Sequence, residues 1–537
     1  MKHAGVVALM LVAATRLVAQ VGRPAVTSES GFYSEAYRID GRPAARPDGT
    51  LRFYASPTLS WSGFSIGLNL LWSTENRFVA QSVNRYYLNP RWSWGQLHAG
   101  DYVPSHGRYT ASSVRVRGGG LDLTPGPFRI SAAAGQALQA TDLTAFDAAP
   151  RRMLYSGMIG VGSPGATFFE ISALRAVDAA AGADTLSAPP QENLVGAVAA
   201  GLSLFRGRLK LKGEGSGSLF SRDIRAGTID SISQPEWTRD WFTPRVSSRF
   251  DYAWLGEARV AAGPGSVGFQ YEYVGPGFST LGNPYFVNDR REGRAFGTLR
   301  VLRGRVNLTG SVGERRDNLA GDKRGTTRRR TGNFTYTILG GRWLVSSASV
   351  MLNGTTREPL PLPPTAPDPG MVDSFRLKNV ALSVALVEQI RFTAGVPHQV
   401  TVTLAEQRVD DASPRFGQVL DARSRTVTLE YAVTLAEQVQ VGVRPGYQEF
   451  EGAGTSERYH TMAVTLSRRA PRTALTASWT GTYTQLRAGS QLRQDAQIGY
   501  RLTTRDAFTL QGRYTRLSGV ADPYTEVLGT LRYSRQW

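Results

Sequence analysis

Cysteine is absent from all 537 residues. Its absence excludes disulfides, thiolate metal sites, cysteine nucleophiles and a lipid anchor on an N-terminal cysteine. Beyond the first 20 residues, no stretch approaches the ~18 consecutive apolar side chains that a membrane-spanning helix needs. Histidine is scarce: past that segment only His98, His106, His398 and His460 occur. His98 and His106 flank Asp101, but the spacing fits no metal site, and both are expected as solvated side chains at a loop edge. No metal and no cofactor is expected. The formal net charge of +19 invites a nucleic-acid partner. A recognition helix, an aromatic RNA-binding motif and finger spacing are all missing, so none is expected. Nor is there an interdomain linker; the one proline-rich stretch, Pro359 to Pro369, reads as an extended loop.

What the chain does have begins with Lys2, an apolar run from Ala4 to Thr15, and Ala19-Gln20. A basic start, a short apolar core and a small residue near the end make a secretory signal peptide over 1–20, although Leu17 is an imperfect residue before the cut. Residues 21–30 are read as a short N-terminal extension, too small for a plug domain, and 31–537 as a single domain.

Through that domain apolar and polar residues alternate with period two, broken every ten to fifteen residues or so by Gly, Pro, Asp or Arg. Val427, Leu429, Tyr431 and Val433 alternate with Thr426, Thr428 and Glu430; Phe508, Leu510 and Tyr514 with Thr509, Gln511, Arg513 and Thr515. A hydrophobic content of 41% resembles that of a soluble protein, but a barrel in lipid shows only every second residue to the membrane and gives the same average. A β-sandwich gives the same alternation with its apolar face inward. Two features favour the barrel. Tight turns, at Gly63, Gly95, Pro125-Gly126, Pro164-Gly165, Gly207, Pro264-Gly265, Gly304, Gly340-Gly341, Gln389, Ala436, Ala470 and Arg505, alternate strictly with longer polar connections such as 221–246, 276–291, 316–329 and 355–372. Trp61, Trp94, Trp343 and Trp537 lie at strand ends, where aromatic rings meet the membrane interface. The expected fold is all-β: one large antiparallel transmembrane barrel of about 26 strands, within roughly 24–28.

The final segment, Val527, Gly529, Leu531, Tyr533 and Trp537, resembles the terminal strand of Gram-negative outer-membrane β-barrel proteins. It departs from that pattern at Arg535 and in ending on Trp rather than Phe. The resemblance implies an outer-membrane location and recognition by the barrel-assembly machinery through Tyr533 and Trp537. Gly100-Asp101 and the run Arg115 to Gly120 faintly resemble the Gly-Asp and Arg-Gly pairs of large secretion barrels such as fimbrial ushers; these glycines read equally well as bulges or bends.

The basic excess falls in three places. Turn arginines Arg206, Arg208, Arg303, Arg305, Arg342, Arg469 and Arg472 are expected among lipid headgroups. A loop near 315–330 with Arg315, Arg316, Lys323, Arg324, Arg328, Arg329 and Arg330 is expected to meet lipopolysaccharide. Lys210, Lys212, Arg300, Arg444, Arg493, Arg501, Arg513 and Arg532 fall on the polar strand face, expected to line the lumen, with Glu430, Asp495 and Glu526 neutralising some. A positive wall favours anions. The expected function is a channel or conduit for polar, anionic solutes or polymers; the alternative is a secretion or assembly conduit, or a barrel holding a periplasmic or lumen-bound partner. The string Gly63-Phe64-Ser65-Ile66-Gly67 matches a nucleophile elbow but lies in a strand context, so no enzyme is expected.

Overall fold

The structure is a computed structural model that describes residues 24–77, 82–140, 150–179, 188–230, 235–359, 376–413, 421–435, 439–452, 454–469 and 474–537. The expected signal peptide, the turn centres at Ala436 and Ala470, and most of the proline-rich loop lie outside the described residues.

The strands run β1 (Ala25–Asp40), β2 (Gly49–Trp61), β3 (Phe64–Ser73), β4 (Arg85–Trp92), β5 (Gly95–Tyr102), β6 (Val116–Leu123), β7 (Phe128–Leu138), β8 (Arg152–Gly162) and β9 (Phe168–Asp178). They continue with β10 (Glu192–Leu204), β11 (Leu209–Ser221), β12 (Ser248–Ala262), β13 (Gly265–Val274), β14 (Arg290–Val301), β15 (Val306–Asp317), β16 (Gly325–Gly340), β17 (Leu344–Pro359) and β18 (Leu377–Ala394). The last are β19 (Val396–Asp411), β20 (Ala422–Thr434), β21 (Val439–Gly452), β22 (Thr455–Arg469), β23 (Leu475–Leu486), β24 (Gly489–Arg501), β25 (Asp506–Ser518) and β26 (Tyr524–Gln536).

Each strand pairs antiparallel with the next, and β1 pairs with β26 from Glu29↔Gln536 to Asp40↔Thr525, closing a 26-stranded sheet. The backbone N–H of Trp537 donates to the Ser28 carbonyl at 3.0 Å at the seam. Closure removes the sheet edge, whose unpaired groups would each cost several kcal/mol in a hydrocarbon environment. The all-β expectation holds, strand number included.

Four expectations are corrected. β1 begins at Ala25 rather than near Gly31, because its early polar residues pair with β2 from Ala25↔Ser60 onward. Gln389 is no turn: it lies inside β18 opposite Val345, and the chain reverses at Gly395, whose φ of 74° suits glycine. Tight and long connections do not alternate strictly, since Gly452↔Thr455 and Leu486↔Gly489 close short hairpins on the long-loop side. Finally, Arg315, Arg316, Arg328, Arg329 and Arg330 are not in a loop. They belong to β15 and β16, which pair up to Arg316↔Arg328.

Register carries one face continuously around the barrel. Leu510, Leu531, Tyr533 and Phe32 share a face through Leu510↔Leu531 and Phe32↔Tyr533. That face bears exposed Phe53, Ile159, Phe269, Val312, Phe334, Leu429, Trp479 and Leu510, an apolar belt of the kind a transmembrane barrel turns toward lipid. Among the described residues helix is limited to the single turns Thr74–Arg77 and Glu236–Thr238.

Candidate pore lining and an inward loop

Twenty-six tilted strands spaced ~4.8 Å apart enclose a perimeter of roughly 160 Å, too wide for side chains on opposite walls to meet. Loops therefore decide how much of the interior is filled. The 103–115 connection between β5 and β6 folds inward and reaches strands far along the sheet. Arg108 donates to Glu272 on β13 through Nε (2.8 Å) and Nη2 (2.9 Å), and its backbone N–H donates to Glu214 on β11 (3.0 Å). The Tyr109 hydroxyl adds a bond to Glu272 (3.1 Å), and Arg290 on β14 completes it (3.0 Å). Burial holds the Tyr109 hydroxyl above its ordinary pKa, so it remains a donor.

A second loop, 275–289, locks the first in place. Ser112 N–H donates to the Gly282 carbonyl (2.9 Å), and the Thr280 hydroxyl to the Thr110 carbonyl (3.1 Å). Tyr109, Phe278 and Phe286 pack ring against ring at 5.4–5.8 Å. Around them Val116, Leu154, Leu174, Val195, Leu255 and Val274 are buried. The interior is thus eccentric: an apolar, loop-filled sector lies against β6–β13. The inner face of β15–β26 presents rows such as Thr465↔Thr480 and Gln497↔Gln511.

The loop leaves the wall over a glycine strip. A side chain at Gly118 would collide with the Ala134 carbonyl, and one at Gly120 with the Tyr102 ring. Tyr102 lies across this strip, its hydroxyl donating to the Gly119 carbonyl (2.9 Å), with His98 stacked on it at 4.7 Å. The glycines read as bends are therefore points of close approach, and Gly100 takes a φ of 104°. His98 and His106 are not solvated, because both turn inward. His98 bonds the Tyr87 hydroxyl (2.6 Å) and Asp122 (2.8 Å), and buried His106 bonds Ser131 (2.8 Å). Asp101 instead pairs with Arg117 (3.0 Å). Burial pushes His106 below the ordinary imidazole pKa.

The eight expected cations share the inner register and are all exposed there. Their partners divide them. Arg493 and Arg513 both bond Asp495 (2.7 and 2.8 Å), and Arg532 reaches Glu29 (3.3 Å). Lys210 donates to the Gly165 carbonyl (3.3 Å). The side chains of Lys212, Arg300, Arg444 and Arg501 form no hydrogen bond or ion pair with the described residues, although Lys212 lies opposite Glu257. Sequence reasoning missed the inward pairs Arg152–Asp178 and Arg290–Glu272, because alanine and glycine blur the alternation in β7–β13. Ser65 lies within β3 opposite Ser60 and Arg91, without the strand-turn-helix setting of a nucleophile elbow.

No protein-family model matches the chain, and no curated protein matches it. Among solved structures it is similar to the translocation pore of the P pilus usher PapC, with 10% identity over 95% of this chain and 99% of that one and a TM-score of 0.39. It is also similar to the siderophore receptor PirA from Pseudomonas aeruginosa, with 11% identity, 96% and 81% coverage and a TM-score of 0.40. A third similarity is to OccK9 (OpdG) from Pseudomonas aeruginosa, with 13% identity, 95% and 98% coverage and a TM-score of 0.30. The chain's own geometry, a closed barrel with an apolar outer belt and a polar inner wall, has the architecture of outer-membrane β-barrel proteins.

Proposed function

We propose that this protein is an outer-membrane channel for polar, preferentially anionic, solutes or polymers, with its path beside the polar wall of β15–β26. The observation that carries this reading is the division of the interior: the inward loops fill one sector, while in the other Arg444 and Arg501 have no side-chain partner among the described residues. Arg300 stands near the tight-turn end of β14. Unneutralised guanidinium groups in a confined space hold a positive potential that bulk salt screens incompletely. Outer-membrane lipid and lipopolysaccharide around the belt, and barrel assembly through Tyr533 and Trp537, belong to the same reading.

Replacing Arg300, Arg444 and Arg501 together by Gln tests it in a planar bilayer under a salt gradient. The reversal potential should show anion preference for the unmodified barrel and a loss of that preference in the variant. Cation preference in the unmodified protein refutes anion selectivity; absence of conductance refutes a standing channel. Absent conductance would favour the second reading, a secretion conduit or a barrel that holds a partner. The inward loops that close one sector favour that reading, as a surface against which a partner packs.

A further inference from the structure

The outer face carries a second charged feature, away from the lumen. Arg291 on β14 stands directly opposite Arg316 on β15, and Arg316 directly opposite Arg328 on β16. Three guanidinium groups therefore form one row across three adjacent strands. Like charges opposite each other on a sheet are destabilising unless something neutralises them. Two carboxylates share this face: Glu314, which Arg330 takes at 2.8 Å, and Glu358 on β17, which stands opposite Thr326 and makes no ion pair with the row. The side chains of Arg291, Arg316 and Arg328 make no hydrogen bond or ion pair among the described residues, and the Nε atoms of Arg316 and Arg328 are buried without a partner.

The rim of β19–β22 is built differently. At the same end of β19–β22, Arg408 pairs with Asp410 (2.7 Å), Arg423 with Glu406, and Arg425 and Arg458 share Glu449 (3.5 and 2.9 Å). There each of these arginines has a carboxylate partner; at β14–β16 Arg330 has one, and Arg291, Arg316 and Arg328 have none among the described residues. The height of the row is also informative. Val312 and Phe334 are exposed on the apolar belt below, and Arg316 follows Val312 by four residues, about 13 Å along the strand. That distance places the row at headgroup level rather than in hydrocarbon. The terminal nitrogens of an arginine offer paired donors to the oxygens of a phosphate.

We propose that Arg291, Arg316 and Arg328 form a binding site for the phosphate of an outer-leaflet phosphoglycolipid. The proposal rests on the outer-membrane reading but not on conduction. Purified protein is titrated with lipid A in detergent and followed by native mass spectrometry, for the unmodified chain, the Arg316→Gln/Arg328→Gln variant and the Arg408→Gln/Arg423→Gln control. Heat-modifiable gel migration reports folding of each. Losing two charge-assisted contacts should weaken lipid A binding by about tenfold or more, while the control binds as the unmodified chain does. Inorganic phosphate, added as competitor, should displace lipid A only at large excess, because it lacks the acyl chains that rest on the belt. Equal lipid A binding by both variants overturns the site; inorganic phosphate binding as tightly as lipid A overturns the lipid assignment. Bilayer conductance of the Arg316→Gln/Arg328→Gln variant separates the two readings. Unchanged conductance with unchanged lipid binding sinks this site alone, and absent conductance with impaired lipid binding sinks the channel alone.

Discussion

Cutting the contact between Arg108 and Glu272 should release the 103–115 loop from the wall. Arg108→Ala removes two charge-assisted hydrogen bonds, of 2.8 and 2.9 Å. In buried settings such bonds contribute about 1.5–3 kcal/mol each, but the Arg108 side chain is 44% exposed, so screening reduces the pair to about 1–2 kcal/mol. Glu272 keeps Arg290 and the Tyr109 hydroxyl, so no buried charge is stranded. The undocked population should rise roughly 5- to 30-fold. Glu272→Ala is harsher: the loop loses the Tyr109 hydroxyl bond as well as the Arg108 pair, about 2–3 kcal/mol in all, which should raise undocking roughly 30- to 150-fold, while Arg290 on the wall keeps Glu292 at 3.6 Å. Hydrogen exchange of the 103–115 amides in folded protein measures both, and single-channel conductance should increase in the same order. If exchange in this loop is as slow in Arg108→Ala and Glu272→Ala as in the unmodified barrel, the contact does not hold the loop and the reasoning fails.

Acid should loosen the same loop. His106, buried against Ser131 with Asp122 and His98 nearby, has a pKa below the ordinary ~6.5 when docked. As pH falls through ~6.5, the undocked loop takes up a proton that the docked one refuses. Docking therefore weakens until the docked pKa is passed and then levels off; limited proteolysis between pH 7.5 and 5 reads this, and His106→Gln should flatten the profile. Gly120→Val should abolish heat-modifiable folding or sharply lower its midpoint, because the new side chain meets the Tyr102 ring and the Ala132 carbonyl. Cysteines at Gly304 and Gly341, in tight turns, should resist an impermeant thiol reagent on intact cells while one at Ala320, beyond β15, reacts; the reverse labelling would invert the assigned sides.

How much of this was legible in sequence varied around the barrel. In β20–β26 the alternation of large apolar with polar residues named the faces correctly, Arg493, Arg513 and Arg532 on one and Leu510, Leu531 and Tyr533 on the other. In β6–β13 the contrast is weaker, because Gly and Ala occupy both faces, and there the reading reached only Lys210 and Lys212 on β11. Strand ends were misjudged where charge was taken for loop. Arg328 to Arg330 looked like a solvated turn, yet a strand that rises past the membrane keeps its backbone pairing while its side chains turn polar.

By itself the sequence determined the period-two pattern, the antiparallel meander and the strand number, since each depends on neighbours in the chain: alternation sets the faces and turn residues set the reversals. Tertiary structure alone decided the docking of Arg108 on Glu272, 164 positions away, the burial of His106, the pairing of Asp495 with both Arg493 and Arg513, and the row of Arg291, Arg316 and Arg328. Those are matters of cross-strand register and of a loop returning through the interior. A one-residue slip in register would exchange every such partner while leaving the alternating pattern intact.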